Sequence, residues 1–319
     1  MRSVMVAVAS GCALLAGCSS RSSSNPGTIV TPTPTPTATP TPTPSPTPTY
    51  ATYAALTGNQ SFRTACASLT FNGNPPVLGP ATAFGDGPTL AYTAASDSYA
   101  ITGDGQMLSY GPVDRDTAAP ATVRSYTKTV DGFVQRFTIG QPVAGGAALD
   151  YMRGFSLRAQ RFGSAIQYAC IFGVPTLATD LPATAFSYAR TGINGVAYGN
   201  DNGALRTYSL EASTMTLAFD PVARTVTTSI TLVGTLQTAG GPGATVPLGT
   251  YAGTASIDTA KGSFYGNITS TNRDNVFAQF GGWFFGPQAR EAGYAAGIYG
   301  RDPATGLLIA ATVNGSAIR

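Results

Sequence analysis

The chain has 319 residues, with Lys+Arg 18 against Asp+Glu 15, 38 Gly, 23 Pro, 4 Cys, one Trp and no histidine. Without imidazole, Ser-His-Asp hydrolysis, His-ligated zinc and a proximal-His haem are excluded. Charged residues make up only 10% and the acids include just two glutamates, Glu211 and Glu291, which argues against long solvated helices and for an all-β chain. The net charge of +3, with Lys and Arg scattered among Asp, is not a nucleic-acid footprint, so no nucleic-acid partner is expected.

Met1 and Arg2 open a short positive region, an apolar run follows from Val4 to Leu15, and Leu15-Ala16-Gly17-Cys18 closes the segment. This is the layout of a secretory signal over residues 1–17, and the apolar run falls short of the roughly 20 residues that span a bilayer. Leu15 to Cys18 resembles a bacterial lipobox, which implies that Cys18 is acylated and becomes the mature N-terminus. Ser19, where retained lipoproteins carry Asp, points by the same resemblance to the outer membrane. The covalent lipid on Cys18 is the only non-protein group expected, and several acyl chains anchor a protein without a span. Residues 18–49 are Ser-rich and then repeat Thr-Pro. Proline lacks an N–H and biases its predecessor toward extended backbone, so the stretch, disordered in the sense of having no packed core, reads as a semi-rigid, polyproline-like Pro-rich stalk. At about 3 Å per residue, some 18 residues of repeat would reach on the order of 50 Å; an unstructured spacer of no fixed length is the alternative.

The remainder divides near Pro175 to Pro182 into a β-rich region over residues 50–178 and a second over 179–319. In the first, Ser98 to Thr102 and Gln106 to Tyr110 flank Gly103-Asp104-Gly105, and Ala121 to Ile139 contains Asp131-Gly132. Both read as hairpins. The stretches from Asn72 to Gly87 and from Tyr110 to Ala121 read as irregular. In the second region Met215, Leu217 and Phe219 alternate with polar residues, and Val226, Thr228, Ile230 and Leu232 alternate with Thr225, Thr227, Ser229 and Thr231. One face is apolar and the other hydroxylic, the pattern of half-buried strands. Further strands are expected over Thr250 to Ile257, Ser263 to Ile268, Val276 to Phe285, Ala292 to Tyr299 and Leu307 to Val313. About eight strands at this spacing suit a closed barrel without exposed edges. Membrane-spanning strands need about 9 to 11 residues with apolar outer faces; these runs read as shorter and hydroxyl-faced. The expected fold is therefore an eight-stranded soluble β-barrel.

The segment from Gly281 to Tyr294, Gly-Gly-Trp-Phe-Phe-Gly-Pro-Gln-Ala-Arg-Glu-Ala-Gly-Tyr, resembles the signature of the transferrin-binding-protein-B-like surface lipoproteins, approximately G-x-F-Y-G-P-x-A-x-E-x-G-G before a last hairpin ending in a basic residue. Phe284, Gly286, Pro287, Ala289, Glu291 and Gly293 match, and the chain ends at Arg319. Phe285 stands where Tyr is usual and Tyr294 where the second Gly would be. The resemblance implies an eight-stranded barrel preceded by a β-rich handle subdomain on a lipid-anchored stalk, in one copy where the full family has two. It also implies a binding protein of the nutrient- or iron-acquisition type, captured partner unidentified, with a TonB-dependent receptor as a possible associate. Read from the residues alone, Gly286-Pro287 ends a strand, Ala289 to Glu291 makes a turn, and Glu291 is placed to pair with a basic side chain at the barrel end.

Cys66 and Cys170 are the cysteines left beyond the signal and anchor, and export makes a disulfide between them the expectation, closing a loop of roughly 100 residues worth up to about 4.7 kcal/mol in the chain-entropy model. Two buried thiols are the alternative. Ser125 to Lys128 fits S-x-x-K, but that chemistry needs one helical face, and a strand sends an offset of three to opposite faces. Asp201-Asn202-Gly203 and Asp104-Gly105 lack the spaced ligands of a calcium loop and read as turns, and Gly240 to Gly243 precedes no helix. No metal site and no catalytic group is expected. Arg153, Arg158 and Arg161 lie near Tyr151, Phe155 and Phe162. Exposed together they would form an anchor for an acidic or aromatic partner; the plainer reading makes them outward residues of two strands. The functional expectation is an outer-membrane, lipid-anchored lipoprotein, on the cell surface or facing the periplasm, that binds a protein or small ligand. A structural or adhesion lipoprotein, or a haem or metal-chelate carrier using Tyr or Met, are the alternatives.

Overall fold

The computed structural model describes residues 48–319 apart from Ala121 and Asn202. The signal, Cys18 and nearly all of the stalk lie outside the described residues. The described residues gather into one compact unit. Among the described residues no helix is long and apolar enough to cross a membrane. The regular elements are strands joined by short 3-10 turns.

The first half holds twelve strands. They are β1 (Gln60–Phe62), β2 (Ala65–Phe71), β3 (Val77–Leu78), β4 (Thr89–Thr93), β5 (Ser98–Gly103) and β6 (Gln106–Tyr110). The others are β7 (Val123–Val130), β8 (Phe133–Gly140), β9 (Val143–Ala144), β10 (Ala147–Ala148), β11 (Met152–Arg161) and β12 (Ser164–Gly173). Strands β1-β4-β5-β6 form a four-stranded sheet, and β3-β2-β12-β11-β8-β7 a six-stranded one. Both expected hairpins are present, with left-handed φ at Asp104 and Gly105 and at Asp131 and Gly132. That pair of conformations matches the twist of a two-residue hairpin, and Asp-Gly adopts it readily. Period-2 alternation turns Phe155, Leu157 and Ala159 of β11 and Ile166, Tyr168, Cys170 and Phe172 of β12 toward the four-stranded sheet, where they meet Leu90, Tyr99, Ile101 and Tyr110. Tyr110, Tyr126 and Phe137 stack at the centre, with ring centroids 5.1 and 5.8 Å from Phe137.

The second half holds β13 (Phe186–Ser187), β14 (Arg190–Asp201), β15 (Ala204–Ser209), β16 (Thr214–Asp220) and β17 (Thr225–Thr238). After them come β18 (Gly241–Asp258), β19 (Ser263–Ser270), β20 (Asp274–Phe285), β21 (Glu291–Arg301) and β22 (Leu308–Ile318). Strand β17 pairs with both β15 and β18, so the order β17-β15-β14-β22-β21-β20-β19-β18 closes on itself as a ring of eight. Strand β16 fills the lower part of the gap beside β17, and β13 pairs with β16. The interior is packed with side chains, among them Met215, Leu217, Phe219, Ile230, Phe264, Phe280, Phe284 and Tyr294. The hydroxyl faces expected for β16 and β17 do point outward. Strand length is a correction: β17 has 14 residues, β18 18, β14 and β20 12 each, and β21 and β22 11 each. Length therefore does not separate this ring from a membrane-spanning one, and the Thr and Ser outer face of β17 carries what remains of that distinction.

Candidate binding surfaces

The motif residues sit where the six-stranded sheet meets the ring. Strand β20 ends at Phe285, Gly286 takes φ 72°, and Pro287 to Ala289 turn the chain into β21. Phe284 points into the ring, 5.2 Å from Phe219 and 5.3 Å from Phe264 between ring centroids. Phe285, on the opposite face, packs on Phe84 of the first half, a wholly buried place in which a tyrosine hydroxyl would need a partner. Tyr294 also has a physical reason. It lies in register with Gly282 and Gly315 on the flanking strands, and the missing side chain of Gly315 makes room for its ring. Its hydroxyl lies 3.3 Å from that of Thr228.

Glu291 corrects the sequence expectation. It is the first residue of β21 and fully buried, and it pairs with no basic side chain. Instead its carboxylate accepts three backbone N–H bonds, from Asp150 at 2.6 Å, Tyr151 at 2.9 Å and Met152 at 3.0 Å. The start of β11 is thereby fastened to the ring. Burial pushes the carboxyl pKa up, and the three N–H donors pull against that rise. Beside it Gly293 faces Met152 so closely that a Cβ would overlap the thioether. Arg319 closes the turn from outside, its guanidinium donating to the Gln288 carbonyl at 3.1 Å. Phe284, Gly286, Glu291 and Gly293 are explained by packing and backbone geometry, and Pro287 and Ala289 belong to the short turn between β20 and β21.

Cys66 and Cys170 stand opposite each other on β2 and β12 and are joined by a disulfide. Ser125 and Lys128 leave opposite faces of β7: Ser125 approaches Thr138, while Lys128 donates to the Ser109 carbonyl at 2.5 Å and lies over the Tyr110 ring. Asp201 and Ala204 close the β14–β15 hairpin, with Arg206 3.7 Å from Asp201; Asn202 lies outside the described residues.

The three arginines do not form one patch, and they belong to one strand, β11, rather than two. Arg153 is buried, donates to the carbonyls of Leu149 at 2.8 Å and Met152 at 2.6 Å, and lies over the Tyr53 ring. Its burial lowers the guanidinium pKa, against the pull of Tyr53 and Glu291. Arg158 leaves the outer face of the six-stranded sheet, over Phe71. Arg161 ends the strand. Both of its terminal nitrogens contact the Asp104 carboxylate at 2.7 Å, a fork that Tyr168 completes through its hydroxyl. This locks the β5–β6 turn beside the β11–β12 turn. The second of these turns is Phe162-Gly163, and Phe162 takes φ 48° with 86% of its surface exposed.

Sequence reasoning did not single out Arg136. It stands opposite Arg158 on β8, and the pair borders a cavity of about 500 Å3 together with Ser156 and Gln167. A second cavity, of about 490 Å3, shares Ser156 and Gln167 and runs between this sheet and the ring, where it meets Glu211, Thr312 and Asn314. Only the pairing register reveals that Arg136 and Arg158 meet, because 22 positions of chain separate them and their strands read as equivalent.

No family model and no curated protein matches the chain. Among solved structures it is similar to a variant of transferrin binding protein B from Haemophilus parasuis, at 16% identity and a TM-score of 0.40, over 80% of this chain and 45% of that one. It is similar too to transferrin binding protein B from serogroup B Neisseria meningitidis, at 18% identity and a TM-score of 0.40, over 81% of this chain and 43% of that one. The chain spans less than half the length of either structure.

Proposed function

We propose that this chain is a lipid-anchored, surface-displayed lipoprotein of the outer membrane that captures a protein partner, in the service of nutrient or iron acquisition, and performs no chemistry. The observation that carries the partner reading is Phe162. Four hairpins of the first half use two-residue turns with both residues left-handed; two are Asp-Gly, one is Gly145-Gly146, and the fourth is Phe162-Gly163. A bulky residue with positive φ is an outlier, costing about 1–2 kcal/mol. The ring lies 5.0 Å from the Arg161 guanidinium and beside Gly105 of the adjoining turn, yet most of it stays open to solvent, and strain of this kind clusters at functional positions. The ring is exposed at the end of the hairpin, and the Arg161–Asp104 fork fixes its base, so a rigid aromatic anchor is presented at low entropic cost. Met107, 84% exposed and two residues beyond Gly105, adds apolar surface to the adjoining hairpin.

The test is capture of a partner by the full chain, with Phe162→Asn as the control. Asparagine suits the turn, so the variant should melt at the same temperature or a few degrees higher, while partner retention falls at least tenfold. Equal retention by both proteins refutes the reading. Protease treatment of intact cells examines display separately, since release of a folded fragment from the surface is the expected result and full protection places the protein on the periplasmic side.

A further inference from the structure

We infer that the trough formed by the outer face of the six-stranded sheet and the neighbouring ring binds a hydroxyl-rich organic anion, a sugar acid or sugar phosphate, with its negative group on Arg136 and Arg158. The inference rests on the reading of the chain as a binding protein and assigns a second ligand at a separate place.

Arg136 and Arg158 are directly opposite on β8 and β11, and alternation sends both side chains to the same, outer face. Like charges in that arrangement repel and weaken a sheet. No acid relieves them. Arg124, Arg206, Arg273 and Arg290 each face an aspartate, and Arg161 has its fork; among the described residues Arg136 has no hydrogen bond or ion pair and Arg158 only the face of Phe71, and of the arginines without an acid these two alone stand opposite each other on paired strands. Two guanidinium groups at opposed positions of adjacent strands suit a carboxylate or phosphate, which each can hold by paired N–H bonds. Next to them, Gln167 accepts a hydrogen bond from the Tyr198 hydroxyl at 2.8 Å through its carbonyl oxygen, which turns its amide NH2 toward other acceptors. Ser156 adds a hydroxyl to the same wall.

The second observation is independent of charge. Thr312 is fully buried, and its hydroxyl has no hydrogen-bond partner; the amide oxygen of Asn314 has none either. Buried polar groups are nearly always paired, so each exception needs an explanation. Both residues line the cavity between the sheet and the ring, which shares the lining residues Ser156 and Gln167 with the arginine-bordered cavity. Hydroxyl groups of a ligand lying along the trough would satisfy both atoms. Glu211, the acid that lines this second cavity, would repel a second negative group and accept from hydroxyls. The charge must therefore lie at the arginine end, and the body must be neutral and rich in hydroxyls. The two cavities together are of the size that small-molecule sites occupy.

Calorimetric titration of the full chain with glucuronate and with glucose 6-phosphate tests this, with glucose and inorganic phosphate as controls. At least one anionic sugar should bind saturably and glucose should not, and which of the two binds separates a carboxylate from a phosphate ligand. Arg136→Gln and Arg158→Gln should each weaken binding at least tenfold, and Thr312→Val several-fold, while Phe162→Asn leaves it unchanged. Either arginine variant should also melt slightly higher at low salt, through relief of repulsion. Absence of saturable binding by both sugars, equal binding by the arginine variants, or binding of inorganic phosphate as tight as the sugar phosphate, an adventitious ion only, overturns the inference. None of these results bears on partner capture by Phe162, which is read with a different variant and assay.

Discussion

Glu291 is one of only two glutamates in the chain, and it is fully buried at the junction of sheet and ring. An unfolded chain gives its carboxyl an ordinary pKa of about 4.3; in the fold, burial raises it above that value. Between the two values the folded protein binds more protons than the unfolded chain, so this group's contribution to stability is complete below the unfolded pKa and is lost as pH rises through the folded one. Urea unfolding at a series of pH values should show this decline in the wild type and its removal in Glu291→Gln. The variant should also lose about 1–3 kcal/mol, because an amide NH2 turned on backbone N–H donors leaves at least one of them unpaired. An identical pH slope in the two proteins would refute this account. The residue and its importance were legible in the sequence; its partners were not. The three donors come from Asp150, Tyr151 and Met152, about 140 positions away, and backbone groups carry no residue-type signal that could have betrayed them.

Strands were legible to the extent that their partners were local. The hairpins β5–β6, β7–β8 and β16–β17 follow from alternation and from Asp-led turns, such as the one in which Asp220 accepts from the N–H groups of Val222 and Ala223 at 2.9 Å. Strand β18 was read from Thr250, yet it begins at Gly241. Pro242, Pro247 and Gly249 hid its first nine residues, and the structure shows why they are tolerated: up to Gly249 the strand pairs with β17 alone, so a missing N–H can face an open edge. Register shifts at Leu232/Val233 and Thr235/Gln237 take up the misfit. The Cys66–Cys170 disulfide belongs to the same scale, because it ties the early strand β2 to β12 across a sequence separation of 104. The chain-entropy model gives a ceiling near 4.7 kcal/mol for such a loop, and about 2–4 kcal/mol is typical. Reduction should therefore lower the melting temperature, and hydrogen exchange should show protection lost in β2 and in the four-stranded sheet while the ring strands keep theirs. Uniform loss across both halves would show that the bond supports the whole unit rather than one sheet.

At the scale of the molecule there are two apolar cores, one between the two sheets and one inside the ring, and the second reaches out through Phe84, Leu149, Tyr151, Met152 and Ile171 to grip the first half. The sequence showed two compositional regions but not how they would join, and it could not show the trough, since Arg136, Arg158, Thr312 and Asn314 meet only through register and packing. Whether the halves melt together depends on the junction, and Gly293 is one of its tight points. Its outward face lies against the Met152 thioether, and Glu291, two residues earlier, holds the N–H of the same Met152. Gly293→Val places a branched side chain where a Cβ already overlaps sulfur, and because β21 is clamped between β20 and β22 it is β11 that must yield. Overpacking of this kind costs about 1–3 kcal/mol. Much of that cost should fall on the contact between halves, since the interior neighbours of β21 face the other way. Calorimetry of the wild type should give one transition, and of Gly293→Val two, the lower belonging to the disulfide-bonded sheets and therefore sensitive to reductant. A single transition shifted downward in the variant would mean that the ring itself had been damaged, and that the two cores fold as one.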